Sequence, residues 1–216
     1  GTLTAGLSHE IRNPLNAAAL QLAVLERRVR KLDEGIQQPL LDPLLLVRDE
    51  IRRLEHILHD FLQFARPAPA TLLPFSLHEL LGRITALLAE QAQRRNVTLE
   101  LVLPEVPELR GDADQLKQVF MNLTINALDA CPEGGRVLVS ASSEPNALRV
   151  SVEDSGEGIA PEKRDRIFEP FFSTKPQGSG LGLPISHAII SQHGGRIEVH
   201  DSGLGGARFD VVLPLG

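Results

Sequence analysis

Cysteine and large aromatic residues are scarce in this sequence of 216 residues. It contains one cysteine, no tryptophan, no tyrosine and eight phenylalanines. A single cysteine, Cys131, excludes an internal disulfide framework and a zinc site built from several cysteines. It also favours a reducing compartment such as the cytoplasm. Because large aromatic side chains are few, we expect a mostly aliphatic core.

Long apolar runs and an excess of positive charge are also missing. No uninterrupted apolar stretch approaches the ~18 residues that a membrane-spanning helix needs, so we expect no membrane contact within this chain. The net charge of -6 argues against a broadly basic surface that binds nucleic acid. The chain starts at Gly1 without an initiator methionine or a targeting segment, so we expect a fragment of a longer protein.

Apolar residues recur at helical spacing in the first third of the chain. Heptad seams at 15–32 and 44–65 predict two long helices joined by a turn at 33–42. Asp42 and Pro43 are typical of an N-cap and a first helical position, so we expect the second helix to start there. A lone hairpin buries little surface, and a second copy would complete a dimeric four-helix bundle.

The pattern changes after a Pro/Ala-rich segment at 67–75, which predicts a stiff linker. Capping boxes that begin at Ser76 and Asp112 indicate two further helices. The remaining helices and hairpin-linked strands lack the regular spacing of βαβ units. We therefore expect an α+β fold, with a helical-hairpin domain at 1–66 and an α/β sandwich with a mixed sheet at 76–216.

His9 is the first candidate for chemistry, on the predicted first helix. On a helical wheel it lies about 160° from Ile11, opposite the apolar seam, with Asn13 one turn further along its own face. A solvent-facing histidine is largely neutral near pH 7 and nucleophilic, and Glu10 is placed to accept its proton. Exposed histidines beside glutamates are also common on ordinary helix surfaces, so this stretch alone leaves both interpretations open.

Two asparagines, Asn122 and Asn126, lie one turn apart on the helix that follows Asp112. Their amide oxygens suit a hard cation such as Mg2+, which prefers oxygen ligands and keeps bound waters. Two solvated asparagines would give the same pattern. The pair by itself therefore does not distinguish a cation site from an ordinary solvated helix surface.

Asp154 follows a predicted strand and precedes Gly156 and Gly158. Glycines in this position allow the backbone to approach a flat ligand, while the carboxylate accepts a hydrogen bond from an exocyclic amine. A simple turn has the same composition. The segment is therefore a candidate ligand site that needs support from elsewhere in the chain.

Three glycines open the last predicted helix, where exposed backbone N–H groups can hold a phosphate: Gly178, Gly180 and Gly182. Their spacing fits neither a dinucleotide-binding fingerprint nor a P-loop. The preceding segment carries Phe168, Phe171 and Phe172, which we expect to anchor the base of a mobile lid. Lys175 at the tip of that lid is placed to reach a terminal phosphate, although a solvated loop lysine would look the same.

Taken together and in this order, these segments resemble the catalytic core of sensor histidine kinases. Residues 7–15 resemble the phosphoacceptor box and residues 122–127 the asparagine box. Residues 154–158, 168–172 and 178–183 resemble the first glycine box, the phenylalanine box and the second glycine box. Each motif is only moderately specific, but their common order and spacing over nearly the whole chain make coincidence an unsatisfactory explanation.

The resemblance implies an autophosphorylating protein kinase with a sandwich domain of the kind shared with gyrase, MutL and the large heat-shock chaperones. His9 would take the γ-phosphoryl group of ATP, with Glu10 as base. The hairpin would form a homodimer and pass the phosphoryl group to an aspartate in the receiver domain of a response regulator. Asn13 would orient water if the protein also dephosphorylates that partner.

The resemblance also implies roles in nucleotide binding. Asn126 would ligate Mg2+ with Asn122 beside it, and Asp154 would accept from the adenine amine. Lys175 stays a candidate contact to the phosphates. The glycines of the two glycine boxes would make room for the nucleotide and the lid: Gly156, Gly158, Gly178, Gly180 and Gly182.

Two details of the sequence bear on which subgroup of sensor histidine kinases the chain resembles. The short lid and residues 173–176 resemble the nitrogen-regulation-type kinases. Asp129 and Ala130 depart from members that have Lys-Tyr at these positions, so the resemblance assigns them no contact with adenine or phosphate.

Two other functions stay open at this point. A clamp ATPase of the gyrase or MutL kind resembles this domain but carries a glutamate one turn before the magnesium asparagine. This sequence has Asn122 there, which is a poor base. A non-catalytic scaffold would use the hairpin only to bind partners, although the intact set of motifs argues against it.

Overall fold

A computed structural model describes residues 2–65, 69–104, 109–175 and 178–215, without the side chains of residues 2–10, 12 and 56. The chain divides into two compact units, Gly1–Arg66 and Pro67–Gly216. The division lies at the start of the Pro/Ala-rich segment that the sequence pattern predicts as a linker.

Two long helices, α1 (Thr2–Val29) and α2 (Glu34–Ala65), pack against each other in the first unit. Leu22, a member of the predicted seam of α1, is half-buried. Glu26 and Arg48 form an ion pair between the two helices, with an N–O distance of 3.0 Å. The predicted helical hairpin is confirmed.

The start of α2 differs from the prediction. The helix begins at Glu34, so the turn expected before Asp42 is wrong, and both Pro39 and Pro43 lie inside the helix. A proline in a helix interior costs about 3 kcal/mol because it removes a hydrogen bond and crowds the preceding turn. Leu41, between the two prolines, is 6% exposed. Burial of a leucine contributes roughly 1.5–3 kcal/mol, and such packing offsets the local preference for a turn.

An apolar stripe stays exposed on α2. Val47, Leu54 and Phe61 lie one heptad apart and are 49%, 50% and 41% exposed. Apolar side chains that repeat at heptad spacing on an exposed helix face are typical of an interaction face rather than of a solvated one. Within the described part of the chain, no helix is long and apolar enough to cross a membrane.

The second unit combines helices with strands. Its helices are α3 (Leu77–Arg94), α4 (Ala113–Ala130), α5 (Pro161–Arg164) and α6 (Gly182–Gln192), and Arg166–Phe168 forms a 3-10 turn. Its strands are β1 (Leu73–Phe75), β2 (Thr98–Val102), β3 (Leu109–Gly111), β4 (Arg136–Glu144), β5 (Ala147–Asp154), β6 (Arg196–Asp201) and β7 (Ala207–Pro214).

A five-stranded sheet with the order β2-β4-β5-β7-β6 forms the centre of this unit. Strands β2 and β4 are parallel, and all the other neighbours are antiparallel, so the sheet is mixed. Strands β1 and β3 pair separately as an antiparallel two-stranded sheet. The predicted α+β fold with a mixed sheet is confirmed.

The core lies between one face of the sheet and the helices α3, α4 and α6. Val139, Val152 and Phe209 are cross-strand neighbours on that face. Phe120 of α4 is completely buried, and most of the other buried side chains are leucine, isoleucine and valine. The aliphatic core expected from the composition is therefore present.

Strand β1 lies inside the segment predicted as a linker. Leu73, Pro74 and Phe75 pair with residues 109–111, so these three residues belong to the second unit. Local sequence does not predict this strand, because it is short and contains a proline, and because its partner lies far along the chain. Pro74 is tolerated there because a strand at a sheet edge has unpaired backbone positions.

The opposite face of the large sheet carries a network of charges. Ser151, Asp210 and Glu198 are cross-strand neighbours on β5, β7 and β6. Arg149 donates from Nη1 to Glu198 Oε2 at 2.7 Å and to Asp210 Oδ2 at 3.0 Å. Hydrogen bonds from Arg149 and Arg196 lower the pKa of Glu198 to about 2. These opposite charges pair on a face that is only partly covered.

Acid should therefore weaken the second unit partly through Glu198. Its pKa lies near 2 in the folded chain against 4.5 for an ordinary glutamate. The ionised form stabilises the fold above pH 4.5, and this contribution is lost as the pH falls from 4.5 towards 2. In Glu198→Gln, the free energy of unfolding should fall less steeply between about pH 5 and about pH 3, as measured by urea denaturation.

Glu162→Gln is the matched control, because Glu162 is an exposed glutamate of α5. The free energy of unfolding of this variant should depend on pH as it does in the wild type. If the free energy of unfolding changed with pH equally steeply in Glu198→Gln and in the wild type, the role of Glu198 would be contradicted.

Candidate functional site

The asparagine pair is positioned by the start of α4. The N-cap Asp112 accepts a hydrogen bond from the backbone N–H of Gln115 at 3.1 Å, which sets where the helix begins. Phe120 anchors the core face of the helix. Asn122 and Asn126 then lie on a neighbouring stripe, and both are half-buried.

The two asparagine amides have defined partners. Asn126 Nδ2 donates to Asn122 Oδ1 at 3.4 Å, and Asn122 Nδ2 donates to Ser186 Oγ of α6 at 3.0 Å. Ser186 is only 1% exposed. These hydrogen bonds link Asn126 to Asn122 and Asn122 to Ser186. The amide oxygen of Asn126, at the end of this chain of hydrogen bonds, is then the group that can face a cation. The sequence pattern identified both asparagines but gave no sign of Ser186, which reaches them only through the packing of α6 on α4.

A cationic group lies next to that oxygen. Lys175 Nζ donates to Asn126 Oδ1 at 3.2 Å and pairs with Asp129 Oδ2 at 2.8 Å. Asp129 also pairs with Arg95, with an N–O distance of 2.6 Å. The amide oxygen of Asn126 therefore accepts a hydrogen bond from a cationic group, and an amide oxygen is also a type of ligand that Mg2+ takes.

Asp154 ends β5 and is 2% exposed. Its Oδ1 accepts hydrogen bonds from the backbone N–H groups of Gly156 at 2.8 Å and of Ala207 at 3.1 Å. Burial raises the pKa of Asp154, although these two hydrogen bonds favour the ionised form. Both backbone bonds end on Oδ1, which orients the carboxylate so that Oδ2 can accept from an amine of a ligand.

Gly206 supports Asp154 from the turn between β6 and β7. Its backbone N–H donates to the carbonyl oxygen of Asp154 at 3.1 Å, and a Cβ on Gly206 would overlap Asp154 Oδ1. Sequence reasoning did not identify Gly206. The glycine-rich composition was a signal, but it did not indicate which residue approaches the carboxylate.

The glycines before α6 also pack against the protein itself. A Cβ on Gly182 would overlap the amide of Asn122, and a Cβ on Gly180 would lie 2.5 Å from the backbone carbon of Phe171. Similar close neighbours surround Gly178, next to Ser173, and Gly156, next to Ala130. Gly158 has a φ of +73° and lies beside Gly206. Close packing within the chain is thus one reason for these glycines, besides any space that they leave for a ligand.

Comparison with known proteins now decides the family. Residues 111–216 match the family described as histidine kinase-, DNA gyrase B- and HSP90-like ATPase, and residues 1–69 match the His Kinase A (phospho-acceptor) domain. The catalytic domain of the histidine kinase ThkA is 34% identical, with a TM-score of 0.63, over 67% of this chain and 96% of that chain. The chain belongs to the histidine kinase family.

Two further relatives align with this histidine kinase over all or nearly all of its length. Sporulation kinase C of Bacillus subtilis (strain 168) is 36% identical over 99% of this chain and 48% of that protein. Full-length ShkA in complex with AMPPNP is 30% identical, with a TM-score of 0.86, over 100% of this chain and 46% of that chain.

ThkA is also known in complex with the response regulator TrrA, and that structure is 30% identical, with a TM-score of 0.73, over 100% of this chain and 62% of that chain. The histidine kinase chain spans about half the length of the curated relatives it matches.

The segment of residues 7–15 that resembles a phosphoacceptor box lies on α1. His9 and Glu10 are helical, and their side chains lie outside the described residues. Asn13 is exposed on the same helix. The roles assigned to these three residues therefore stay predictions.

The lid segment differs from the expectation at one phenylalanine. Phe168 and Phe172 pack against the core, and Arg166 lies 4.5 Å above the ring of Phe172. Phe171 is 61% exposed and has a φ of +66°, so its side chain does not anchor the segment. The left-handed backbone at Phe171, which contacts Gly180, turns its ring away from the core.

Gly206→Ala in this histidine kinase should weaken nucleotide binding by about tenfold to a hundredfold, because the new methyl group would overlap the carboxylate of Asp154 and the backbone of Asp154 and Gly156, and so displace the carboxylate. Calorimetry with AMPPNP measures the affinity. Gly203→Ala is the matched control from the same turn, since a Cβ there would lie 4.0 Å from its nearest neighbour, Glu153 Oε2. Equal affinities for the two variants would contradict the support that Gly206 gives to Asp154.

Proposed function

We propose that this chain is the catalytic core of an ATP-dependent, autophosphorylating protein-histidine kinase of a two-component system. The observation that carries the proposal is the combination, in one chain, of a phosphoacceptor-type hairpin with an ATPase-type unit whose asparagine pair presents an oxygen to a cation. ATP is the proposed phosphoryl donor, so we also propose a cytoplasmic location for this chain.

In the nucleotide-binding unit, we assign Asp154 Oδ2 to the adenine amine and Asn126 Oδ1 to Mg2+, with Asn122 beside it. Mg2+, when bound, would neutralise charge on the phosphates during transfer. The N–H groups at the start of α6, around Gly178 to Gly182, face a phosphate in this assignment. Lys175 would then move from Asn126 to the phosphates, a step that an ammonium on a flexible side chain can make.

The transfer itself needs a nucleophile and a base. A nitrogen of His9 attacks the γ-phosphorus, the new N–P bond forms, and ADP leaves with the electron pair of the broken P–O bond. Glu10 accepts the imidazole proton. A carboxylate oxygen of the receiver aspartate then attacks the same phosphorus, and the N–P bond breaks. The surrounding groups contribute by positioning and by stabilising charge.

A clamp ATPase of the gyrase or MutL kind is not favoured. The position of its catalytic glutamate is occupied by Asn122, whose amide donates to Ser186 and accepts from Asn126. A neutral amide held in this way cannot accept a proton from water. A scaffold without catalysis has no support beyond the hairpin, because the residues around Asp154 keep the arrangement expected for a ligand.

We propose residues 1–66 as the dimerisation and phosphotransfer domain. We propose residues 76–216, together with strand β1, as the ATP-binding catalytic domain. Two hairpins would form a four-helix bundle through the exposed stripe of Val47, Leu54 and Phe61.

The proposed partner is the receiver domain of a response regulator, a class of protein with which ThkA is known in complex. We further propose that exposed Asn13 orients water in a phosphatase reaction, and that the chain belongs to the nitrogen-regulation-like subgroup. The short segment between Phe172 and Gly178 supports that subgroup.

His9→Ala should abolish autophosphorylation, because the nucleophile is removed. After incubation with radiolabelled MgATP, the wild-type chain should carry an acid-labile, base-stable label. His59→Ala is the matched control, since His59 is an exposed histidine of the same hairpin, and it should keep the label. Undiminished labelling of His9→Ala would overturn the assignment.

Leu54→Asp should dissociate the proposed dimer, because it buries a charge at the centre of the apolar stripe. Light scattering after size-exclusion chromatography measures the mass. Leu46→Asp is the control, since Leu46 is 66% exposed and lies outside the heptad stripe. The proposal predicts a monomer for the first variant and a dimer for the second. A dimer in both cases would exclude this face as the interface.

A further inference from the structure

Ser186 is a buried polar residue in the second unit that the proposed reaction does not yet use. It is 1% exposed and lies on α6, one turn after Gly182. Its Oγ accepts a hydrogen bond from Asn122 Nδ2 at 3.0 Å. A Cβ on Gly182 would overlap Asn122 Oδ1, so the same helix confines the Asn122 amide at both of its polar atoms.

The direction of the hydrogen bonds that link Asn126, Asn122 and Ser186 follows from the ammonium group of Lys175. Lys175 has an ammonium group, which can only donate, and it contacts Asn126 Oδ1 at 3.2 Å. Asn126 Nδ2 must therefore face Asn122 Oδ1, 3.4 Å away. Asn122 Nδ2 is then left to donate to an acceptor on α6, and the hydroxyl oxygen of Ser186 is that acceptor.

We propose that Ser186 is a positioning residue that fixes the asparagine pair so that Asn126 presents its oxygen to the metal ion. The proposal rests on the assignment of Asn126 as the Mg2+ ligand. If the two amides reversed, Asn126 would present an NH2 group, whose positive hydrogens repel a cation. The ammonium of Lys175 sets which way the two amides face, since a serine hydroxyl can donate as well as accept. Ser186 anchors the Asn122 amide in place: without the hydroxyl, the Asn122 NH2 group would lose a hydrogen bond that water cannot replace at this buried position, and the amide would be free to turn away from Asn126.

Loss of the hydroxyl should thus act on the metal and not on the adenine. Ser186→Ala removes the acceptor without adding volume, and Ser186→Thr keeps a hydroxyl. Groups that orient metal ligands typically change metal affinity about tenfold to a hundredfold when they are removed. We expect Ser186→Ala to raise the Mg2+ concentration for half-maximal AMPPNP binding by about tenfold. Binding of ADP in EDTA, which depends on Asp154, should stay unchanged.

The experiment is calorimetric titration of the full chain with AMPPNP at a series of Mg2+ concentrations, and with ADP in EDTA. Ser191→Ala is the matched control, because Ser191 is an exposed serine of the same helix. Because Ser186→Thr keeps a hydroxyl, AMPPNP binding by this variant should depend on Mg2+ as it does in the wild type. In NMR spectra, the side-chain NH2 resonances of Asn122 should shift and exchange faster with solvent in Ser186→Ala but not in Ser191→Ala.

Asn126→Ala separates this inference from the proposed function. If Asn126→Ala raises the Mg2+ requirement and Ser186→Ala does not, the positioning role is overturned while the metal assignment stands. If neither variant changes the Mg2+ requirement, the assignment of Asn126 as the metal ligand is wrong, and the positioning role of Ser186 is overturned as well. Equal loss of AMPPNP and ADP binding in Ser186→Ala would indicate a purely structural role and would also overturn the inference.

Discussion

The close approach of α6 to α4 is the contact on which the candidate site depends. Gly182 permits this approach because any side chain there would overlap the amide of Asn122. Ser186, one turn later, accepts a hydrogen bond from the same amide, and Asn122 in turn accepts one from Asn126. Protein interiors are close-packed, so a shift of α6 would be transmitted to these amides instead of being absorbed by empty space. The helix that begins at the glycine-rich segment therefore also holds the amide of Asn122, which pairs with Asn126.

The distribution of charge explains how a chain with a net charge of -6 suits a polyanionic ligand. Exposed charges more than about 8–10 Å apart are largely screened at physiological salt, so net charge matters less than the groups at the site. Lys175 lies beside Asn126, and the start of α6 offers backbone N–H groups. Asp154 is the buried negative charge of the site, and backbone N–H groups bond to it directly. In the proposed function, Mg2+ supplies the remaining positive charge.

Local signals predicted much of the fold because they depend on neighbouring residues. Ser76 and Asp112 cap their helices as expected, since each side chain accepts from a backbone N–H three residues later. The same reasoning failed at Asp42 because burial in the hairpin outweighs a proline in the helix. It connected the glycines of the two boxes with the nucleotide and the lid, and the structure adds that Gly182 lies against the amide of Asn122. Propensity therefore predicts an element best where no distant partner contributes to its stability.

The sequence by itself determined the long helices, the strands of the five-stranded sheet, the aliphatic core and the set of motifs that indicated a histidine kinase, because these follow from periodicity, caps and residue types. Only the tertiary structure decided that Gly206 lies against Asp154 and that Ser186 forms a hydrogen bond with Asn122. Each of these contacts joins residues more than fifty positions apart in the chain. Spacing along the sequence carries no information about such pairs, since the contact exists only after the sheet has formed and α6 has packed against α4.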